Sequence, residues 1–101
     1  MDFLVEIEVR LPPDTDPGRK AELVAAEAAR AKDLAAKGTI HRLWRVPGRW
    51  ANVGIWRAGD ATELHEALSS LPLYPWLAVA VTPLAQHPSD PGDPTTPNAS
   101  A

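Results

Sequence analysis

The chain has 101 residues and a formal charge of −3, with acids and bases interspersed along it. That is the length of one domain. The charge pattern argues against a phosphate-backbone partner, which calls for a basic stripe. There are no cysteines, which excludes disulfides, thiolate nucleophiles and thiolate metal sites. No run reaches the roughly 18 apolar residues of a membrane helix. Met1-Asp2-Phe3 does not open a basic segment followed by an apolar run, so neither a membrane span nor a secretory signal is expected, and the expected location is cytoplasmic.

Residues 3–11 alternate with period two. Phe3, Val5, Ile7, Val9 and Leu11 point one way, and Glu6, Glu8 and Arg10 the other. This predicts a strand with one core face. Pro12 and Pro13 end it, because proline cannot donate to a ladder. Asp16 and Pro17 then start a helix, the first as cap and the second as a residue suited to the opening turn. The helix is dense in alanine and is predicted to run to about Lys37, with Gly38 beyond its end.

At about 100° per residue, Leu23, Glu27, Ala31 and Leu34 share one stripe, with Val24 beside it and Lys20 at its N-terminal end. Glu27 is thus a carboxylate on the face that packs inward. A charge moved out of water is costly unless it is paired or its pKa rises. The plainer alternative is that Glu27 sits at the stripe's edge and reaches solvent or Lys20.

Gly38 to Trp56 predicts a hairpin around Val46-Pro47-Gly48-Arg49, since proline presets a turn angle and glycine tolerates a positive one. Three of the four tryptophans, Trp44, Trp50 and Trp56, lie in or beside it. So do His41, Arg42, Arg45, Arg49 and the lone amide of Asn52. Rings in this number call for a cover, either a ligand or another subunit. With Ala51, Val53 and Ile55 set against the helix, Trp50, Asn52, Gly54 and Trp56 are expected on the opposite sheet face.

A second helix opens at Asp60, where Asp60 and Glu63 have capping-box spacing. Leu64, Ala67, Leu68 and Leu71 form its apolar stripe, and His65 lies off it. Leu71-Pro72-Leu73-Tyr74-Pro75-Trp76 is a stiff link, and Leu77 to Leu84 is the last strand. Residues 1–87 are therefore read as one domain. Residues 88–101, rich in proline and without a large apolar side chain, are read as a mobile tail.

The order strand, helix, strand, strand, helix, strand is the α+β ferredoxin-like arrangement: a four-stranded antiparallel sheet with two helices on one face. The bare face is expected to carry tryptophan and to be buried by another copy of the chain. The chain has no glycine-rich phosphate loop and no Gly-x-Ser-x-Gly elbow. His41, His65 and His87 are too scattered for a metal site. What remains is acid–base chemistry without metal or cofactor, using Glu27, the histidines, and the arginines as anion binders.

Leu43-Trp44-Arg45, Gly48, Ala51-Asn52 and Leu71-Pro72-Leu73-Tyr74-Pro75 resemble the muconolactone delta-isomerase family. The likeness extends to Leu11-Pro12, Asp16-Pro17, Glu27, Gly38-Thr39 and His87-Pro88, and spans about residues 1–90. The resemblance implies a ferredoxin-like decamer acting in the catechol branch of the 3-oxoadipate pathway. Such an enzyme converts muconolactone to 3-oxoadipate enol-lactone without metal or cofactor, in a cleft completed by neighbouring subunits. It implies Glu27 as the catalytic carboxylate and Asn52 as a pocket residue.

The chain departs from the family at His41-Arg42, where other members tend to carry the reverse order. It departs again at Trp50, where tyrosine is common and a phenol donor is lost. A proton shift in a lactone needs a carboxylate with a raised pKa, a donor to the lactone oxygen, and a cation for the substrate's free carboxylate. Glu27 meets the first need. Asn52 or a histidine meets the second, and Lys20, Arg42, Arg45 or Arg49 the third. Trp50 and Trp56 would wall the pocket. Two alternatives are a relative that removes chloride from 5-chloromuconolactone on the same scaffold, and a non-catalytic oligomeric binding module.

Overall fold

The computed structural model describes residues 1–92. Of the tail expected over 88–101, residues 93–101 lie outside the described ones. Strand β1 (Asp2–Val9) leads into helix α1 (Pro17–Ala36), then β2 (Ile40–Arg45) and β3 (Ala51–Arg57). Helix α2 (Ala61–Ser69), a short 3-10 turn (Tyr74–Trp76) and β4 (Leu77–Leu84) complete the order. The strands form one sheet in the order β2-β3-β1-β4, with every neighbouring pair antiparallel. This is the ferredoxin-like α+β arrangement that the element order predicts.

The ends of the elements follow from local chemistry. Asp16 accepts a hydrogen bond from the Arg19 amide at 3.0 Å and Pro17 follows it, so α1 starts where its first free amides find a partner. At the other end, Gly38 takes a φ of +80°. The Gly38 amide donates to the Ala35 carbonyl at 3.0 Å and the Thr39 amide to the Leu34 carbonyl at 2.9 Å. This paired closure satisfies the last carbonyls of the helix and turns the chain into β2.

Helix α2 is capped in the same way as α1. The Glu63 amide donates to Asp60 at 2.8 Å, and the Glu63 carboxylate accepts from the Gly59 amide at 3.0 Å. Between β2 and β3, Pro47 and Gly48 form a type II turn. Gly48 has a φ of +78°, and the Arg49 amide donates to the Val46 carbonyl at 3.4 Å.

The core lies between the helices and one face of the sheet. Phe3, Val5 and Ile7 of β1 meet Leu34 of α1 and Leu64 and Leu68 of α2. Strand β1 ends at Val9, two residues short of the expected Leu11. The larger correction concerns β3. Phe3 pairs with Trp56, Val5 with Gly54 and Ile7 with Asn52, and directly opposed residues share a face. Asn52, Gly54 and Trp56 therefore lie on the helix side, and Ala51, Val53 and Ile55 on the bare side, the reverse of the expectation.

Trp56, 1% exposed, is a central core residue rather than part of an outward aromatic face. The bare face instead carries Leu4, Glu6, Glu8, the Ala51-Val53-Ile55 set and, by its pairing with Val53, Trp44. Gly54 is required by close approach, because a Cβ there would stand 2.5 Å from the Arg42 carbonyl oxygen.

Candidate active site

On the helix side, α1 stands off the sheet along β3 and the end of β2 and leaves a cleft of about 400 Å³. This falls within the roughly 300–1,000 Å³ of small-molecule sites. Glu27, Val24 and Ala31 of α1 form one wall, and Leu43, Arg45 and Asn52 of the sheet the other. Trp50 and Leu73 also border it. The helical stripe read from the sequence is thus split. Leu23 and Leu34 go into the core, while Glu27 faces the space between.

Glu27 is half-buried. Its Oε1 accepts a hydrogen bond from the Leu73 amide at 3.1 Å. Burial pushes the carboxyl above its ordinary value of 4.5, and the Leu73 bond offsets part of that rise. Glu27 forms no ion pair among the described residues. The bridge to Lys20 is absent, because the Lys20 ammonium lies over the Trp50 ring, 5.1 Å from its centre. The carboxylate is therefore held in place, partly desolvated and, among the described residues, without a cation, a condition in which a carboxyl group can accept and return a proton.

Asn52 meets Glu27 across the cleft because β3 has the register described above. Its Oδ1 is buried and has no hydrogen-bond partner among the described residues. A half-turn of the amide exchanges oxygen for NH2 without changing its shape, so the group can present a donor to a ligand oxygen. Trp50, 42% exposed, stands at the mouth of the cleft beneath Lys20.

The other residues singled out in the sequence lie elsewhere. His41 is the extra residue of a bulge between Ile40 and Arg42 and is exposed. Arg42 pairs with Ile55, which puts it on the bare face, and its guanidinium lies 4.7 Å from the centre of the Trp44 ring. Arg49 bonds to Glu8 and borders a separate hollow on the bare face with Glu6 and Ala80. The chain therefore does not bring His41, Arg42 or Arg49 to its own Glu27 cleft.

One contributor was not singled out, the Leu73 amide on Glu27. Its signal is in the link, where Pro72 and Pro75 cannot donate and fix the path that aims the intervening amide.

The profile of the muconolactone delta-isomerase family matches residues 1–90. The chain belongs to this family. It is 43% identical over 89 residues to the Muconolactone Delta-isomerase of Cupriavidus pinatubonensis, covering 88% of this chain and 97% of that one. It is 38% identical over 88 residues to the enzyme of the same name from Rhodococcus opacus, covering 87% and 95%. A crystal structure of muconolactone isomerase superposes with a TM-score of 0.85 at 36% identity, covering 92% of this chain and 97% of that one. The family resemblance carried by Leu43-Trp44-Arg45 and Leu71-Pro72-Leu73-Tyr74-Pro75 thus holds at the level of sequence and of fold. Among the described residues, no helix of this member is long and apolar enough to cross a membrane.

Proposed function

We propose that this chain isomerises muconolactone to 3-oxoadipate enol-lactone by a 1,3 proton shift, with Glu27 as the base and no metal or cofactor. The observation that carries the reading is a half-buried carboxylate, without an ion pair among the described residues, facing a ligand-sized cleft. Glu27 takes the proton from the ring carbon that bears the carboxymethyl arm. The electron pair moves through the ring double bond into the lactone carbonyl as a dienolate. Glu27, now a carboxylic acid, returns the same proton to the carbon next to that carbonyl, and the double bond has moved by one position.

A carboxyl pKa raised towards neutrality suits both halves of this cycle. The Asn52 amide, turned to present its NH2, donates to the lactone oxygen as negative charge builds there. Trp50 covers the mouth and limits water around the dienolate. Lys20 holds the Trp50 ring and adds positive potential at the entrance.

Trp50 borders the cleft where the family often has tyrosine, and this change supports chlorinated lactones as competing substrates. Active homo-oligomers belong to this proposal, with the decamer of the family as the expected number. In their support, the sheet has a bare face holding Val53 and Ile55, and Trp44 and Leu43 are 45% and 48% exposed. His41, Arg42 and Arg49 would then reach a cleft only across a subunit boundary.

The test is an ultraviolet assay of purified protein on muconolactone, run beside 5-chloromuconolactone, with sedimentation to count subunits. Turnover of muconolactone is expected. Chloride release with no isomerisation would reassign the substrate, and inertness towards both would leave the binding-module alternative.

A further inference from the structure

We propose that Arg45 binds the substrate's free carboxylate and thereby sets which end of the lactone faces Glu27. This inference rests on the isomerase reading above and names the cation that the sequence left open among Lys20, Arg42, Arg45 and Arg49. Three observations single it out.

The first is the side of the sheet. Arg45 pairs with Asn52, which pairs with Ile7 of the core face. Its side chain therefore leaves the sheet on the helix side, and Arg45 borders the Glu27 cleft. Arg42 leaves on the bare side.

The second is availability. Arg49 is tied to Glu8, Arg57 to Asp2 at 3.1 Å, and Arg30 to Ser70 at 2.9 Å with Asp33 at 3.8 Å. The Arg45 side chain has no hydrogen bond or ion pair among the described residues. It reaches solvent at the end of β2, so a ligand does not need to displace a partner. Lys20 is spent on the Trp50 ring and is not among the residues bordering the cleft.

The third is spacing. Arg45 and Glu27 border one cleft of about 400 Å³. Among the described residues they form no ion pair with each other, so a ligand can lie between them. The substrate's own charge demands the same separation. A carboxymethyl arm repels ionised Glu27, so the arm must point away from the base while the ring carbon bearing it points towards the base. A planar guanidinium, which accepts a carboxylate through two parallel hydrogen bonds, holds the arm in one orientation better than a point charge does.

The test compares wild type, Arg45→Gln and Arg45→Lys on muconolactone and on its neutral methyl ester. Calorimetry with the saturated carboxymethyl lactone, which has no double bond to shift, supplies a reading independent of turnover. Wild type is expected to favour the acid over the ester. Arg45→Gln is expected to lose about 10- to 100-fold in kcat/KM on the acid, mostly through KM, with the ester nearly unchanged. Arg45→Lys should recover part of the loss, and the saturated acid should bind Arg45→Gln more weakly by a similar factor.

An unchanged acid-to-ester ratio in Arg45→Gln, or equal loss on both substrates, would overturn the assignment. If wild type turned over neither substrate, the isomerase reading would fall. The assignment of Arg45 would then stand or fall on whether the saturated acid binds wild type and loses that affinity in Arg45→Gln.

Discussion

Replacing Glu27 with glutamine separates the chemistry of the site from its architecture. The amide has nearly the shape of the carboxyl and keeps a carbonyl oxygen for the Leu73 amide, so the 3.1 Å hydrogen bond can persist. No ion pair among the described residues is lost. What disappears is the ability to take a proton. Positioned general bases contribute about 10²- to 10⁴-fold, so kcat is expected to fall by that factor, about 3–5 kcal/mol in barrier.

Stability should move the other way. The folded-state pKa of Glu27 lies above its ordinary value of 4.5, so the folded protein holds this proton more tightly than the unfolded chain does. Its contribution to stability is full below pH 4.5 and is lost as pH rises through the folded pKa. At pH 7 the ionised carboxylate therefore weakens the fold relative to a neutral group. Glu27→Gln is expected to melt at or above the wild-type temperature at pH 7, with any gain vanishing below pH 4.5. Lactone turnover by ultraviolet absorbance and melting by circular dichroism across pH 4–8 give both readouts. Turnover within tenfold of wild type would refute the base assignment. A lower melting temperature at pH 7 would show that Glu27 is held by an interaction other than the one described.

Wild-type kcat/KM should fall as the medium is acidified, with an apparent pKa above 4.5, because the proposed base acts in its ionised form. A rate independent of pH down to 4.5 would contradict this. Trp56→Ala should cost about 3–5 kcal/mol in urea unfolding, since the ring is 1% exposed. Trp44→Ala, removing a ring 45% exposed, should cost less than about 1 kcal/mol in the monomer; the reverse order would mean that β3 and β2 face the other way. Gly54→Ala should destabilise by about 1–3 kcal/mol, because its Cβ would meet backbone, the Arg42 carbonyl, at 2.5 Å. Asp60→Ala should cost about 1 kcal/mol in thermal unfolding by freeing the Glu63 amide.

The misjudged face of β3 shows where reading a sequence stops. Ala51, Val53 and Ile55 make an alternating apolar set, and periodicity alone selects them for the core. The competing set, Asn52, Gly54 and Trp56, looks mixed. Yet a buried tryptophan covers about 150–250 Å², which at about 25 cal/mol per Å² contributes about 4–6 kcal/mol. Full burial of a valine and an isoleucine gives about 3–6 kcal/mol. The two faces are nearly balanced, so composition does not choose between them. Register with β1 decides, since Phe3, Val5 and Ile7 face the core without ambiguity and carry Trp56, Gly54 and Asn52 with them. The residue that made the inner set look wrong, Asn52, is the one that borders the cleft, a polar side chain set on a core face where the proposed ligand would lie.

The chain's own order of residues determined the caps at Asp16 and Asp60, the turn at Pro47-Gly48, the sequence of elements and the inward stripe that holds Glu27. Each of these depends on neighbours within about one helical turn or one strand pleat, where hydrogen bonding and periodicity act directly. Tertiary structure alone decided the rest. It aimed the Leu73 amide at a carboxylate 46 residues away. It tied Arg49 to Glu8, 41 residues away, and set Arg45 at the cleft with no ion pair among the described residues. Such pairings depend on strand register and on where a helix lands across the sheet. A one-residue slip would exchange every partner while leaving the local pattern intact.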